Sequence, residues 1–422
     1  MTEIANYMLV IYLGIVVILL LFYFPRFKAW FGSLKKQERI YNDKNNNIAL
    51  LIPARDELLV VPAMIESLKN QSYKKFTPFF IVKKEDDPAI KLIEEAGYVA
   101  YVCRTQKCKG DALDFALQEI LKEDKNRFDN YLIVDADCLL EKDCLLELNN
   151  ACASKKDIIQ SKRLVKNYLS KNPKDNNWVT KCNGIIWTLI DGMGNRYKSD
   201  HNITAMTIGT GIMLSSRVVN ELGGWPYRQT LTEDIEFMYD ATLRGYETFF
   251  YSYSKLYLEE SPSYHATNTR RTRWMTGVVD SKRIYNSRLK KEMITKKQKQ
   301  NRYFTTGLDS VYWLIGLSTL FCLLNLLSSI VAYFTNQSVF ILTIRNSIVS
   351  FGVIYFSFFL MTVFAVIIDH KYIKIPWYEK ILLCFIHPLF YMGYIKIVFK
   401  AFLNLNTSKW EVIERVEGFE KE

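Results

Sequence analysis

The two ends of this chain are too apolar to be held in water. From Tyr7 to Phe24 the residues are almost all hydrocarbon or aromatic. At about 1.5 Å per helical residue the run covers most of a bilayer core. A cleaved leader would have basic residues before the run and small residues after it. Here the run is followed by Pro25-Arg26-Phe27-Lys28 instead, so a retained anchor with its basic flank inside is expected. Two further runs, Leu308 to Phe334 and Ile348 to Ile368, are also long enough to span. A fourth, Ile381 to Phe402, carries His387, Pro388, Lys396 and Lys400. The loop from Asp369 to Lys380 and the tail after Lys400 both read as cytoplasmic, which one straight span cannot satisfy. A tilted, broken or re-entrant element meets that condition. The alternative is a plain span with Lys396 reaching for the interface.

A mean hydropathy of −0.03 averages these ends with a charged middle. The net charge of +11 allows nucleic acid, anionic lipid or a phosphorylated ligand as partner. Much of the charge sits beside apolar runs, in Lys28, Lys35, Lys36 and Arg39 and again in Lys290, Lys291, Lys296, Lys297 and Lys299. That placement follows the positive-inside rule and sets the middle segment in the cytoplasm. No nucleic-acid recognition module is present, so no nucleic-acid partner is expected. The eight cysteines form no CxxC pair and no Cys/His cluster, which reads as reduced thiols. The expected organisation is an anchor with its flank over 1–30, a cytoplasmic domain over 44–284 and a basic interfacial segment over 285–306. Spanning or re-entrant helices over 307–403 and a tail over 404–422 complete it.

Within the middle segment, Ile48 to Ile52, Phe79 to Val82, Tyr98 to Cys103 and Tyr131 to Val134 read as buried strands. Helical patterns over Val60 to Asn70, Ala89 to Ala96 and Asp111 to Leu121 separate them. Strands alternating with helices predict an α/β domain, a mostly parallel sheet covered on both faces. Ligands then sit beyond the carboxyl ends of the strands. The polar groups at those ends are Pro53-Ala-Arg-Asp-Glu57, Lys83-Lys-Glu-Asp-Asp87 and Asp135-Ala-Asp137. Asp-x-Asp offers two hard oxygens to one divalent cation that can also hold a diphosphate, although loops are rich in aspartate without a metal. Downstream are Gly209-Thr-Gly211 and Leu231-Thr-Glu-Asp234, where Thr232 could simply cap a helix. Arg270-Arg-Thr-Arg-Trp274 groups guanidiniums around an indole. It suits a diphosphate clamp with a stacking platform, or a basic helix near anionic lipid.

PARDE, KGDAL, DAD, GTG, LTED and RRTRW, in this order between Ile48 and Gly277, resemble the membrane-embedded family-2 glycosyltransferases. That group includes the cellulose, hyaluronan and poly-N-acetylglucosamine synthases. The resemblance implies a Rossmann-like GT-A catalytic domain and a multi-pass protein of the cell membrane with its catalytic part cytoplasmic. It implies a UDP-sugar donor, UDP-GlcNAc or UDP-Glc, and Mg²⁺ or Mn²⁺ as cofactor. By position, Pro53, Arg55, Glu57 and Lys109 resemble donor-binding residues, with Arg55 standing where many members have tyrosine. The aspartate pair expected after the second strand is replaced by Lys83 and Lys84, so that site falls to Glu85, Asp86 and Asp87. Asp135 and Asp137 resemble the metal pair, Asp135 facing the donor as well, and Arg271 and Arg273 the clamp on the departing diphosphate. Asp234, with Glu233 beside it, resembles the general base, and Gly209, Thr210, Gly211 and Trp274 the acceptor site.

An inverting transfer needs such a carboxylate to take the acceptor proton, and positive charge to hold the leaving nucleotide. Two departures bear on the acceptor. Arg270 stands where the motif usually begins with glutamine, as in some ceramide glucosyltransferases, and only about three apolar runs follow the catalytic part. The leading expectation is a processive synthase of an extracellular β-linked polysaccharide. A transferase adding one sugar to a lipid is the alternative, and an inactive membrane scaffold is a third. The need for an accessory subunit is left open.

Overall fold

A computed structural model describes residues 1–306 and 309–403, with the side chains of 306 and 309–313 excepted. The predicted tail over 404–422 and the start of the second apolar run at Leu308 lie outside the described residues. One sheet of eight strands forms the centre: β1 (Ile48–Pro53), β2 (Phe76–Val82), β3 (Val99–Val102), β4 (Asn130–Ile133), β5 (Leu139–Leu140), β6 (Ile158–Val165), β7 (Ile212–Ser215) and β8 (Thr248–Leu258). Their order is β3-β2-β1-β4-β7-β6-β8-β5. The first four strands are parallel, with Leu51 paired to Phe79 and to Ile133. They read from sequence because strands buried on both faces become continuous apolar runs. The sheet then turns mixed, since β7 runs antiparallel to both β4 and β6 while β6 and β8 run parallel.

Helices cover both faces. One core gathers Ile48, Leu50, Phe80 and Leu132 against the helix Val61–Lys69; the other gathers Leu51, Phe79 and Ile133 against Lys109–Glu123. The alternation of neighbouring β1 residues between the two cores is the period-two geometry of a strand. All eight cysteines are free thiols.

Among the described residues, four helices are long and apolar enough to cross a membrane: Thr2–Gly32, Leu314–Thr335, Gln337–Asp369 and Trp377–Leu403. The last is broken, with Trp377–Met392 and Tyr394–Leu403 meeting at Gly393. A side chain at Gly393 would lie 2.9 Å from the Tyr264 hydroxyl, so the break seats the start of the helix Tyr264–Glu292 against it. Ion pairs, one of them with both partners buried, join these helices to the sheet domain. Lys162 on β6 reaches Asp369 at 2.6 Å, both nearly solvent-free, with the ammonium 4.6 Å from the Tyr372 ring centre. Lys181 reaches Glu379, also at 2.6 Å.

Removing one partner of a buried pair strands the other charge, at a cost of about 3–5 kcal/mol, whereas replacing both by apolar groups is often neutral. Asp369→Ala should therefore lower the thermal midpoint of the detergent-purified protein markedly. The double variant Lys162→Met/Asp369→Leu should recover most of that loss; equal midpoints for wild type and Asp369→Ala would show that the pair does not couple the two parts.

Candidate active site

The strand ends deliver their polar residues to one cavity of about 1340 Å³. Pro53, Arg55 and Glu57 enter it after β1, and Asp135 and Asp137 after β4. Lys109 comes from the first turn of Lys109–Glu123, and Glu233 and Asp234 from the first turn of Glu233–Arg244. Arg271, Arg273 and Trp274 come from Tyr264–Glu292.

Lys109 is the electrostatic centre. Its ammonium lies 2.6 Å from Asp135 Oδ1, 3.7 Å from Glu233 Oε1 and 3.5 Å from the Gly209 carbonyl. Burial opposes its charge, but Asp135 and Glu233 outweigh burial and hold its pKa above the ordinary lysine range. Glu233 is pushed upward by burial and by the charges of Asp234 and Asp135, against the pull of Lys109. A carboxyl with a raised pKa inside a charged cleft is a common sign of a working site.

The Gly-Thr-Gly turn links the acidic groups. Gly209 has φ of +75°, open to glycine at little cost, and its N–H donates to Asp234 Oδ2 at 2.5 Å. The other oxygen, Oδ1, accepts from the Ile235 N–H at 2.9 Å. Thr210 Oγ1 accepts from the Asp135 N–H at 3.0 Å. One short turn thus holds both Asp234 and Asp135. Gly211 does not line the cavity; its N–H donates to the Ile133 carbonyl, and a side chain there would meet Leu256 at 2.5 Å. It serves close packing of the sheet.

Glu85, Asp86 and Asp87 are likewise not brought to the cavity. Glu85 pairs with Arg104, and Asp87 Oδ1 accepts from the Ala89 N–H at 3.0 Å. An aspartate two residues ahead of a helix is satisfied by its first turn, which leaves it no part in the cavity.

The Arg-Arg-Thr-Arg-Trp segment divides its work. Arg270 and Arg271 both face Glu260, which is fully buried and also accepts from Trp187 Nε1 at 2.7 Å. Both guanidiniums lie over the Trp274 ring, at 5.1 and 4.6 Å from its centre. Trp274 meets Trp187 edge-on at 5.9 Å. Sequence reasoning missed Glu260 and Arg163. Glu260 follows the end of β8, so the strand-end rule would have flagged it. Arg163 binds Asp191 through two donors, Nε at 3.1 and Nη2 at 2.5 Å, and lies 4.6 Å from the Trp187 ring centre. No local pattern marks such a pair.

Asp135, Asp137 and Cys138 offer ligand atoms within 4.8 Å of one another. The two carboxylates suit a hard divalent cation such as Mg²⁺ or Mn²⁺. The Cys138 thiol is buried and its pKa raised well above ordinary by burial first and by Asp137 next, which disfavours it as a thiolate ligand.

The family model for glycosyl transferase family group 2 matches residues 132–369, more than half of the chain. The chain belongs to that family. This glycosyltransferase matches no curated protein in sequence. Among solved structures it is similar to the mannosyltransferase PcManGT from Pyrobaculum calidifontis, determined in complex with GDP-Man and Mn²⁺. The TM-score is 0.57 at 11% identity, over 96% of this chain and 99% of that one, a likeness of fold. TarS from S. aureus overlaps 63% of this chain and 54% of its own length, with TM-score 0.39 and 13% identity.

Gly277 allows the Trp274 helix of the transferase to lie against Thr232, since a side chain there would run into the threonine. Gly277→Ala should displace the Thr232–Asp234 turn. Misplacement of about 1 Å can cost up to about a hundredfold in rate. The expected result is a large fall in kcat with an unchanged circular dichroism spectrum; a wild-type rate would show that the contact does not set the turn.

Proposed function

We propose that this glycosyltransferase moves a sugar, with inversion, from a nucleotide sugar, UDP-GlcNAc or UDP-Glc, onto an acceptor that carries an apolar tail. In this reading the catalytic domain lies at the cytoplasmic face of the cell membrane. The observation that carries it is the lining of the cavity described above. Its sheet end holds Lys109, Asp135, Asp137, Asp234, Arg271 and Arg273, and its far wall is Leu317, Leu320, Phe358, Met361, Val398 and Phe402 from three apolar helices. A growing polysaccharide would need hydroxyl and aromatic partners along its exit. A hydrocarbon tail is matched by this wall at about 25 cal/mol per Å² of buried apolar surface. Arg270 and the small number of spans favour the same acceptor.

Arg55 and Glu57 would meet the nucleoside, and Lys109, Arg271 and Arg273 the diphosphate, where positive charge lowers the energy of the leaving group. Asp234 would take the proton of the acceptor hydroxyl as its oxygen attacks the anomeric carbon. The Gly209 N–H fixes the carboxylate's orientation for that task. Trp274 would support a sugar ring beside Gly209 and Thr210. Asp135 and Asp137 would hold Mg²⁺ or Mn²⁺, which when bound neutralises diphosphate charge. Mn²⁺ accompanies the donor in the mannosyltransferase neighbour, which supports the metal, while its GDP-Man makes GDP-sugars part of any donor screen. The joint presence of base, cations and acidic pair in one cavity argues against an inactive scaffold.

Asp234→Asn should lower transfer by about a thousandfold or more, general-base loss costing about 10²–10⁴, while nucleotide-sugar affinity stays within a few-fold. Membranes incubated with labelled UDP- and GDP-sugars, followed by product sizing, test this directly. A single-sugar, organic-soluble product is expected; a long polymer would overturn the lipid acceptor, and near-normal activity of Asp234→Asn the base. Chelating divalent cations should stop turnover and readdition restore it. A rate indifferent to chelator would remove Asp135 and Asp137 from the metal role.

A further inference from the structure

The same cavity has a second charged wall that the transfer reaction does not use. Arg26 and Lys198 both line it, with Tyr23 and Trp30 of the first apolar helix. Arg26 follows the apolar run of that helix, the level at which phosphate headgroups meet protein in a bilayer. Its guanidinium lies among the Tyr23, Tyr303 and Phe304 rings, 5.4 to 5.8 Å from their centres. Nη2 donates to the Tyr303 carbonyl at 3.4 Å, and Nε is buried with no hydrogen-bond partner. Lys198 is 4% exposed. Its ammonium lies 5.9 Å from the centre of the same Phe304 ring and reaches only Asn195 Oδ1, at a long 3.5 Å. That oxygen already accepts from the Met206 N–H at 2.6 Å.

Among the described residues neither cation forms an ion pair. The acid whose charge acts on Lys198 is Asp191, and both its oxygens are taken by Arg163. Two neighbouring cations in a low-dielectric wall are unfavourable unless an anion joins them. The strain is visible in Lys198, whose pKa is pushed down to about 7 by burial and then by Arg26. Nothing in donor binding relieves this, because the donor's diphosphate belongs at Lys109 and the acidic pair. What reaches this wall is whatever occupies the apolar limb.

We propose that Arg26 and Lys198 form a site for the anionic headgroup of a phosphate-bearing lipid whose hydrocarbon chain lies along the apolar wall of the cavity. The cation pair supplies charge complementarity, the interfacial level supplies the headgroup's usual depth, and Leu317, Leu320 and Phe402, lining the same cavity, supply an apolar surface for the chain. Taking that lipid as the sugar acceptor rests on the function proposed above; the binding site itself does not.

The test is lipid binding by the full-length protein in detergent, without donor, using phosphatidic acid, uncharged diacylglycerol and inorganic phosphate as probes. The two cations are the charged hydrogen-bond donors this wall offers to a phosphate. The double variant Arg26→Gln/Lys198→Met should therefore lose at least about tenfold in phosphatidic acid affinity, with its thermal midpoint retained. Arg26→Lys should keep most of the affinity, which a merely structural role for the guanidinium would not predict. Phosphatidic acid binding no tighter than diacylglycerol, or unchanged in the double variant, would overturn the site. So would inorganic phosphate competing as strongly as the lipid, since the chain would then contribute nothing. A wild type that binds phosphatidic acid through this pair yet transfers no sugar from any donor would leave the site standing and defeat the transferase reading. Transfer with the double variant's lipid affinity intact would do the reverse.

Discussion

The structure depends on one strand that carries charge into the middle of the protein. All of β6 is buried, including Gln160, Ser161, Lys162 and Arg163 in succession. A charged side chain in that position is tolerated only when an opposite charge and further hydrogen bonds meet it. Each of the four is met by a different part of the chain. Gln160 Nε2 donates to the Thr210 carbonyl at 2.8 Å, and Ser161 bonds Ser254 at 2.9 Å on β8. Lys162 takes Asp369 at the end of an apolar helix, and Arg163 takes Asp191 beneath Trp187. Alternate side chains of a strand face opposite sides of the sheet, so this one polar run is bound on both faces. It ties the Gly-Thr-Gly turn, the membrane helices and the aromatic wall of the cavity to a single rigid element.

That same strand explains where sequence legibility ends. β1, β2 and β4 were readable because their environment is uniform: apolar layers on both faces demand runs such as Ile48 to Ile52. β6 has the opposite composition for its depth, and Ser-Lys-Arg inside a strand is indistinguishable from a surface turn until its partners are known. Those partners are 28 and 207 residues away in Asp191 and Asp369. The antiparallel β7 was hidden for a related reason. It is only Ile212–Ser215 and begins directly after the Gly-Thr-Gly turn, which draws attention as a site motif rather than as the entry to a strand.

Within the site, the residues that could be named in advance are those whose chemistry is local. Asp135 and Asp137 follow a strand; Glu233 and Asp234 open a helix; Lys109 opens another. Helix N-termini and strand ends point the same way in such a sheet, so residues in these places converge. Residues whose role is to hold others were not named. Arg163 meets Asp191, Trp187 and the Ile208 carbonyl through distant contacts and carries no local signature, whereas Glu260 is marked only by its place after β8. Glu85 to Asp87 failed for the converse reason. Three acids after a strand look like a site, but Asp87 already has an acceptor's duty at its own helix.

The cavity's shape follows from the break at Gly393. A continuous helix from Trp377 would carry Tyr394, Val398 and Phe402 on along its axis. The interruption lets Tyr394–Leu403 run beside Tyr264–Glu292, the helix of the arginines and Trp274. Part of the apolar wall and the arginine-tryptophan cluster are thereby built on neighbouring helices rather than on separate domains. A hydrocarbon chain on that wall, as proposed above, would lie in the cavity that Arg271 and Trp274 also line. Arg26 and Lys198 line the same cavity, where the proposed site would hold an amphiphile's charged end. On the proposed reading, geometry of this kind would lower the entropy lost when a lipid is held beside a nucleotide sugar.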